Sequence, residues 1–448
     1  MIILWTDALI YLLLISVVSI GVLLRNHDGL KRPLKKIAAN KSAMVSMIIL
    51  LLFVAVGLLD SIHFRAEGQR SSGVISVLDY CTQPLWHHTE KTYSAPFSAY
   101  LYSKEYITQE GGHQVWAFPR LQFGGSHLTD PEFEKTADVL SLLMTGLSKG
   151  FILCLAGVGL RGVFRGKKSE QIAHRYRPGF VFITISILII GVAGLIELSM
   201  YYHIFGTDKV GEDVFYQTIK SIRTGLVIGS LTTFIMLPLA VIFGILAGFY
   251  RGWVDDIIQY IYTTLNAIPS VLLIAASILM VQVYMANHPE SFTNLESRAD
   301  LRLLFLCLIL GVTSWTGLCR MLRAETLKLR EMGYVQAAKV LGVKPFGILF
   351  QHILPNVMHI ILIAVVLDFS ALVLAEAVLS YINIGVDPST YSWGNMINGA
   401  RLEMAREPVV WWPLIAAFVF MFVLVLTANL FADAVRDAFD PRRSQYGQ

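Results

Sequence analysis

The chain has 448 residues, of which 55% are hydrophobic and only 15% charged, a balance outside the range of soluble globular proteins. Its formal net charge of +4 comes from basic residues clustered in a few short connections, so it gives no reason to expect a nucleic-acid partner. This is the composition of an integral membrane protein. Cys154, Cys307 and Cys319 lie in apolar runs and only Cys81 does not, which excludes an intramolecular disulfide framework.

A helix needs about 20 mostly apolar residues to cross a hydrocarbon core of roughly 30 Å. Nine runs approach that length: 5–24, 43–60, 138–160, 178–201, 224–250, 257–285, 303–322, 357–380 and 411–432. The first lacks the basic start and the small-residue cleavage site of a secretory signal, so it is read as a span. Arg25, Lys31, Arg32, Lys35, Lys36 and Lys41 fill the first connection, and Arg161, Arg165, Lys167, Lys168, Arg175 and Arg177 the third. Positive residues in short loops mark the cytoplasmic side. The N-terminus is therefore expected outside and the C-terminus in the cytoplasm, with 61–137 outside and 323–356 inside.

The connection 61–137 carries Trp86, Tyr93, Tyr100, Tyr102, Tyr106 and Trp116 between turn signals such as Gly111-Gly112 and Gly124-Gly125. A small ordered external cap is expected there. His87-His88 invites a metal reading, but adjacent residues diverge and no further ligand cluster has a useful spacing, so no metal site is expected. Gly162 to Ser169 has one residue too few between its glycines for a phosphate loop, and it reads as a positive loop.

Gly244 and Gly248 are spaced for close helix packing. The stretch 320–356 is polar and sits between two spans. Tyr334, Val335, Ala338 and Leu341 recur at helical spacing as one apolar stripe, flanked by Gln336 and Lys339. Gly333 separates this helix from the preceding one, Gly342 supplies a left-handed C′ position, and Pro345 stops it. A short helix with small residues at Ala337 and Ala338 suits close approach of another surface, or equally a loop resting on its own membrane domain.

Asp368 and Glu376 fall in or near one span, where a charge is costly, so they are expected to face the protein interior or a watery cavity. Eight residues correspond to about 80° of helical rotation, so both can share a broad face. They either line a translocation path or make buried interhelical hydrogen bonds. Glu197 is expected at the membrane interface.

Four blocks carry a family resemblance. Gln336-Ala337-Ala338, Gly342 and Leu354-Pro355 resemble the Glu-Ala-Ala loop of ABC-importer permeases, with Gln in place of the usual Glu and His352 in place of Ile. His203-Ile204-Phe205-Gly206-Thr207-Asp208 to Val214 is similar to a segment of dipeptide and oligopeptide importer permeases, with Glu212 replacing an Arg. Glu376 to Gly385 with Ser392-Trp393-Gly394-Asn395-Met396, and Val435 to Arg442, match the family's later blocks. On these residues the chain is identified as a second-permease (C-type) subunit of a binding-protein-dependent peptide importer.

The resemblance implies an all-α polytopic fold with a type I ABC-importer core and about nine transmembrane helices. It implies an extra N-terminal helix and basic loop over 1–42, a first core helix at 43–60, an inserted cap at 61–137, two inserted helices over 138–200, and the permease core at 201–448. It further implies a second permease subunit, two ATPase subunits docked through Tyr334, Gln336, Ala337, Ala338, Gly342, Leu354 and Pro355, and an external peptide-binding protein. ATP and magnesium would be bound by the ATPases, with no cofactor and no enzymatic activity in this chain, which would sit in a bacterial inner membrane. Asp368 and Glu376 are the pathway candidates. A proton-coupled secondary transporter using those carboxylates is the alternative, although no internal repeat of the kind common in such proteins is visible. An intramembrane enzyme has no Ser/His, His-Glu-x-x-His or paired-carboxylate arrangement to support it.

Overall fold

Backbone polar groups have no water to bond in a bilayer, and long helices satisfy them internally. A computed structural model describes residues 4–24, 28–65, 74–108, 114–164, 178–291 and 295–439. Its helices are, in order, α1 (Trp5–Leu24), α2 (Asp28–Ala39), α3 (Lys41–Asp60), α4 (Val77–Cys81), α5 (Gln83–His87), α6 (Pro131–Phe164), α7 (Pro178–Ser199) and α8 (Val214–Tyr250). They continue with α9 (Trp253–Ala267), α10 (Ser270–Asn287), α11 (Leu295–Ser314), α12 (Thr316–Arg330), α13 (Gly333–Val340), α14 (Pro345–Ile348), α15 (Leu354–Tyr381), α16 (Trp393–Glu403) and α17 (Trp412–Phe439). The basic residues 165–177, most of the phosphate-loop-like stretch, and Asp440 to Arg442 lie outside the described residues.

Among the described residues, eight helical stretches are long and apolar enough to cross a membrane, and α1 adds a shorter apolar run, Trp5–Ser19. The run expected at 257–285 is not continuous. Pro269 lacks an amide hydrogen and disfavours helix at the residue before it, so Ile268 is extended at ψ 130° and the crossing stretch begins at Ser270. The run expected at 224–250 starts ten residues earlier, at Val214, because Asp213 Oδ1 accepts the Tyr216 amide and caps the helix.

The 61–137 segment, expected as a small ordered cap, carries two small antiparallel sheets within the mostly helical fold. Strand β1 (His63–Arg65) pairs with β2 (Val74–Ser76), Phe64 opposite Ile75. Strand β3 (Glu105–Thr108) pairs with β4 (Gln114–Ala117), Tyr106 opposite Trp116. All four cysteines are free thiols.

The chain divides into two compact bodies, one of residues 38–223 and 391–424 and the other of 2–37, 224–390 and 425–448. In the first, α6 and α7 form a tight antiparallel pair. A Cβ on Gly146 would come within 2.8 Å of Gly194 Cα, and one on Gly150 within 2.7 Å of Ile190 Cα. Lys149 Nζ reaches Glu197 Oε2 at 2.7 Å across this pair, which gives that glutamate a cation. Away from their contact, the two helices present Phe151, Leu155, Ile187 and Ile196, all exposed, as lipid-facing spans do.

In the second body, α8 is the axis on which others pack through glycine. A Cβ on Gly244 would meet Cys319 O and Leu322 Cβ of α12 at 2.8 Å, and one on Gly248 would meet Thr326 Cβ at 2.6 Å. The Gly244/Gly248 pair is thus a close-packing seam. Helix α1 is held at its start. Thr6, fully buried, donates its amide to Asp300 Oδ2 at 3.2 Å and its hydroxyl to the other oxygen of that carboxylate on α11.

Candidate functional site

The segment following α12 is positioned by three arginines. Arg323 grips Asp255 with two parallel bonds, Nε to Oδ1 at 2.6 Å and Nη2 to Oδ2 at 2.7 Å, which ties α12 to α9. The Arg323 guanidinium holds the Asp255 carboxyl below the usual carboxylate range. Arg330 donates to Phe249 O at 2.7 Å, and Arg251 reaches Glu331 at 3.0 Å. The end of α12 is therefore pinned to the end of α8 before the chain turns.

The chain then makes α13. Val335 and Ala338, three residues apart, are 1% and 7% exposed and join a core with Ile348, Leu349, Ile353 and Val357. The helix stops as its sequence requires. Gly342 takes φ +81°, its amide bonds Lys339 O at 3.2 Å, and the Val343 amide bonds Ala338 O at 3.0 Å. These two bonds are a Schellman ending, which needs a residue without Cβ strain at C′. Pro345 opens α14, a π-helical turn spans Leu349–Ile353, and Leu354-Pro355 begin α15. Tyr334 is tied to that start, since Asn356 Nδ2 donates to its hydroxyl at 3.1 Å. Leu354 packs against the core and Pro355 is exposed.

Two details differ from the sequence reading. Ala338 packs into the chain's own core, so only Ala337 is open to an approaching surface. The apolar stripe is split, with Val335 and Ala338 buried and Tyr334 and Leu341 exposed, Leu341 at 82% because the helix ends at Val340 and the cap turns its side chain out. Tyr334, Ala337, Val340 and Leu341, with Phe346 beyond the turn, form an exposed and mostly apolar face backed by a rigid core.

Gln336 has a bond that a glutamate could not make. Its Nε2 donates to Arg330 O at 2.9 Å, capping the last carbonyl of α12, and lies 3.5 Å from Glu331 Oε2. An acid here would lose the donor and face a like charge.

Asp368 and Glu376 both lie on α15, but the structure does not bring them together. Glu376 is 1% exposed and accepts the Ser380 hydroxyl at 2.7 Å, while Asp368 is half-buried. Eight residues along a helix is about 12 Å.

The 203–214 block builds a second polar centre, in the first body. His203 Nδ1 lies 2.6 Å from Asp213 Oδ2, and its Nε2 lies 3.5 Å from Glu90 Oε1, an ion-pair contact rather than a hydrogen bond. Glu90 also accepts the amides of Gln122, Phe123 and Gly124 at 2.9 to 3.1 Å. Burial opposes the charged imidazole, but the two carboxylates overcome it and push His203 up to about 9. Burial likewise raises Glu90, and His203 with the three amides brings it below its ordinary value. Gly206 and Gly211, both at positive φ, have no room for a Cβ because Ser94 and Glu90 backbone atoms lie against them. Trp412 Nε1 donates to Thr207 O at 2.9 Å within this block, and Trp393 Nε1, from the 392–396 segment, donates to Thr218 O at 3.1 Å in the helix that follows it. Nearby, Lys220 contacts Asp79 and, at 3.6 Å, Asp60. Burial raises Asp79, and Lys220 brings it below its ordinary value.

Glu90, Asp79 and Asp255 had no signal in the sequence. Each meets a partner 68 or more residues away, at no local spacing.

A profile of the family described as binding-protein-dependent transport system inner membrane component matches residues 240–445. The chain is 31% identical over 243 residues to the dipeptide transport system permease protein DppC of Lactococcus lactis subsp. cremoris, covering 54% of this chain and 65% of that protein. It is 30% identical to the glutathione transport system permease protein GsiD of Pectobacterium atrosepticum, covering 54% and 73% respectively. It is 32% identical to the oligopeptide transport system permease protein OppC of Bacillus subtilis, covering 54% and 72%. The match thus spans just under two thirds of the first relative's length and more of the other two. A solved chain of the MetNI methionine ABC transporter, inward facing, is similar over 49% of this chain and 96% of its own length, at 15% identity and a TM-score of 0.37.

Proposed function

The chain belongs to the family of binding-protein-dependent transport system inner membrane components, and on that premise we propose that it is the permease subunit of an ATP-driven peptide importer. In this reading α13 is its coupling helix. The membrane-crossing helices form half of a translocation path, a second permease subunit the other half, and each docks one of two ATPase subunits that bind ATP and magnesium. An external peptide-binding protein delivers a di- or oligopeptide. The membrane is a bacterial inner membrane, with the N-terminus and the 61–137 segment outside and α13 in the cytoplasm. That segment, α1 and the α6–α7 pair are then additions around a core of α3 and residues 201–448. Asp368, half-buried in a crossing helix, is proposed to line the path, and Glu376, held by Ser380, to be a structural hydrogen-bond centre beside it.

One observation carries the coupling role. Tyr334, Ala337, Val340 and Leu341 are exposed on a helix that Val335 and Ala338 anchor in the core. A face so backed transmits a push, because packed interiors deform little. The reading is tested by replacing Ala337 with Cys in a background lacking the exposed Cys81, and cross-linking the assembled transporter. A cross-link to an ATPase subunit that stops peptide uptake, with uptake restored on reduction, is expected. A cross-link only within the membrane subunits would overturn it.

A further inference from the structure

Helix α15 carries one carboxylate that its packing leaves without a counter-charge. A Cβ on Gly229 of α8 would come within 2.6 Å of the Phe369 ring, and Ser370 Oγ donates to Asn429 Oδ1 of α17 at 2.8 Å. The two residues after Asp368 are thus taken up by neighbouring helices. Asp368 itself is half-buried, and among the described residues no hydrogen bond or ion pair reaches it. At 100° per residue, Ala364, Asp368, Ala371 and Ala375 fall within about 60° of one another. Three one-carbon side chains on that stripe do little to cover the carboxylate. Ala371 and, beside the stripe, Leu367, Leu374 and Val378 are exposed, so this arc of α15 is open.

A crossing helix that turned a bare carboxylate to acyl chains would incur a large cost, so Asp368 belongs beside water or a cation. The described part of the chain brings it no cation. An unblocked peptide has an ammonium at one end and a carboxylate at the other, and a lone carboxylate attracts the first and repels the second. We propose that Asp368 receives an ammonium group of the imported peptide as it passes α15. The proposal rests on the reading of α15 as part of a peptide path. One half-exposed ion pair is weak, which suits a site that must release its cargo. Glu376 takes no part, since it is 1% exposed and accepts the Ser380 hydroxyl.

The test uses the assembled transporter and its binding protein in proteoliposomes, hydrolysing ATP on a tripeptide in the presence of a water-soluble carbodiimide. That reagent condenses a carboxylate with an amine in contact, taking up the water lost as its urea. Mass spectrometry of the α15 fragment is expected to show an amide between Asp368 and the tripeptide. A second arm uses an N-acetylated tripeptide whose one amine is a lysine side chain. Product in the first arm alone assigns the site to the α-ammonium, and product in both assigns it to either ammonium. Asp368→Asn should lower uptake about fivefold, and Asp368→Glu should restore most of it. Condensation of Asp368 with a lysine of the second permease subunit overturns the proposal, as does an equal yield of peptide amide with ATP omitted. The underlying path reading is read separately, from Asp368→Cys in a Cys81→Ser background and a water-soluble thiol reagent. No reaction there means that the path reading fails and the proposal with it. Reaction there, with no peptide amide in the unaltered chain, overturns the proposal alone.

Discussion

His203 Nδ1 stands 2.6 Å from Asp213 Oδ2, so the first and the next-to-last residues of the 203–214 block are joined by a buried charged bond. Glu90, from the 61–137 segment, meets the other side of the same ring. The pairing determines how the first body responds to pH. A histidine raised from its ordinary 6.5 to about 9 contributes stability that is fully present below the unfolded value and is lost as pH rises through about 9. The contribution is on the order of 3 kcal/mol. Glu90, depressed below its usual value, acts in the opposite direction and loses its contribution only in acid. Thermal unfolding of the purified chain should therefore weaken between pH 7 and 10, and the His203→Gln variant should lose most of that slope. With labelled histidine, the NMR resonance assigned to His203 by its loss in His203→Gln should titrate near 9, and its titration near 6.5 would contradict the assignment.

Gly342 at φ +81° is a conformational requirement and not a packing one, since a Cβ there would meet no atom within 4 Å. Gly342→Val should strain the turn by about 1–2 kcal/mol and loosen the end of α13, whereas Gly342→Asn, which tolerates the left-handed region, should be close to neutral. Hydrogen exchange of the Gly342 and Val343 amides reads this directly. Both should be protected in the unaltered chain and in Gly342→Asn, and exposed in Gly342→Val.

Gly248 poses the converse case. A side chain there would run into Thr326 Cβ at 2.6 Å and Arg323 O at 2.7 Å, so Gly248→Leu must separate α8 from α12. The expected loss is about 1–3 kcal/mol or more, as for other overpacked sites. The melting temperature in detergent should fall more for Gly248→Leu than for Gly252→Leu. Gly252 has positive φ but open space around it, while Gly248 has the clash and no positive φ, so the comparison sets overpacking against backbone strain.

Much of this was legible in the chain. Apolar runs located the spans, and Gly342 with Pro345 located the end of α13, because both signals act within a few residues. Pro269 is an equally local signal, and it interrupts the apolar run 257–285. Its effect on Ile268 was decisive in the fold. Periodicity puts Leu341 on the apolar stripe but does not show that it sits in the cap, where its side chain turns out. Glu90 beside His203, Asp79 beside Lys220 and Asp255 beside Arg323 were invisible, since each pairing is made by tertiary folding and not by spacing. The same is true of Ala338, whose small size suited an interface and a core equally well.

Gln336 replaces the acid usual at its position, and its donor bond to Arg330 O shows what the amide contributes. Gln336→Glu should cost the isolated chain about 1 kcal/mol, through the lost bond and the nearness of Glu331. Exchange of amides 331–343 should quicken in that variant at neutral pH and return toward the unaltered rate when Glu331 is also changed to Gln. Unchanged exchange in Gln336→Glu would show that the bond is dispensable.

The coupling role of α13 is tested most directly at Leu341, which is 82% exposed and can be altered without disturbing the chain's own core. Burying a leucine at an interface contributes about 1.5–3 kcal/mol, so Leu341→Asp should weaken ATPase association by about tenfold or more. The measurement is the affinity of the purified permease pair for its ATPase subunits, with the melting temperature of the variant as the control for folding. The account predicts an unchanged melting temperature and a lost ATPase. A variant that binds its ATPase as tightly as the unaltered chain would contradict it.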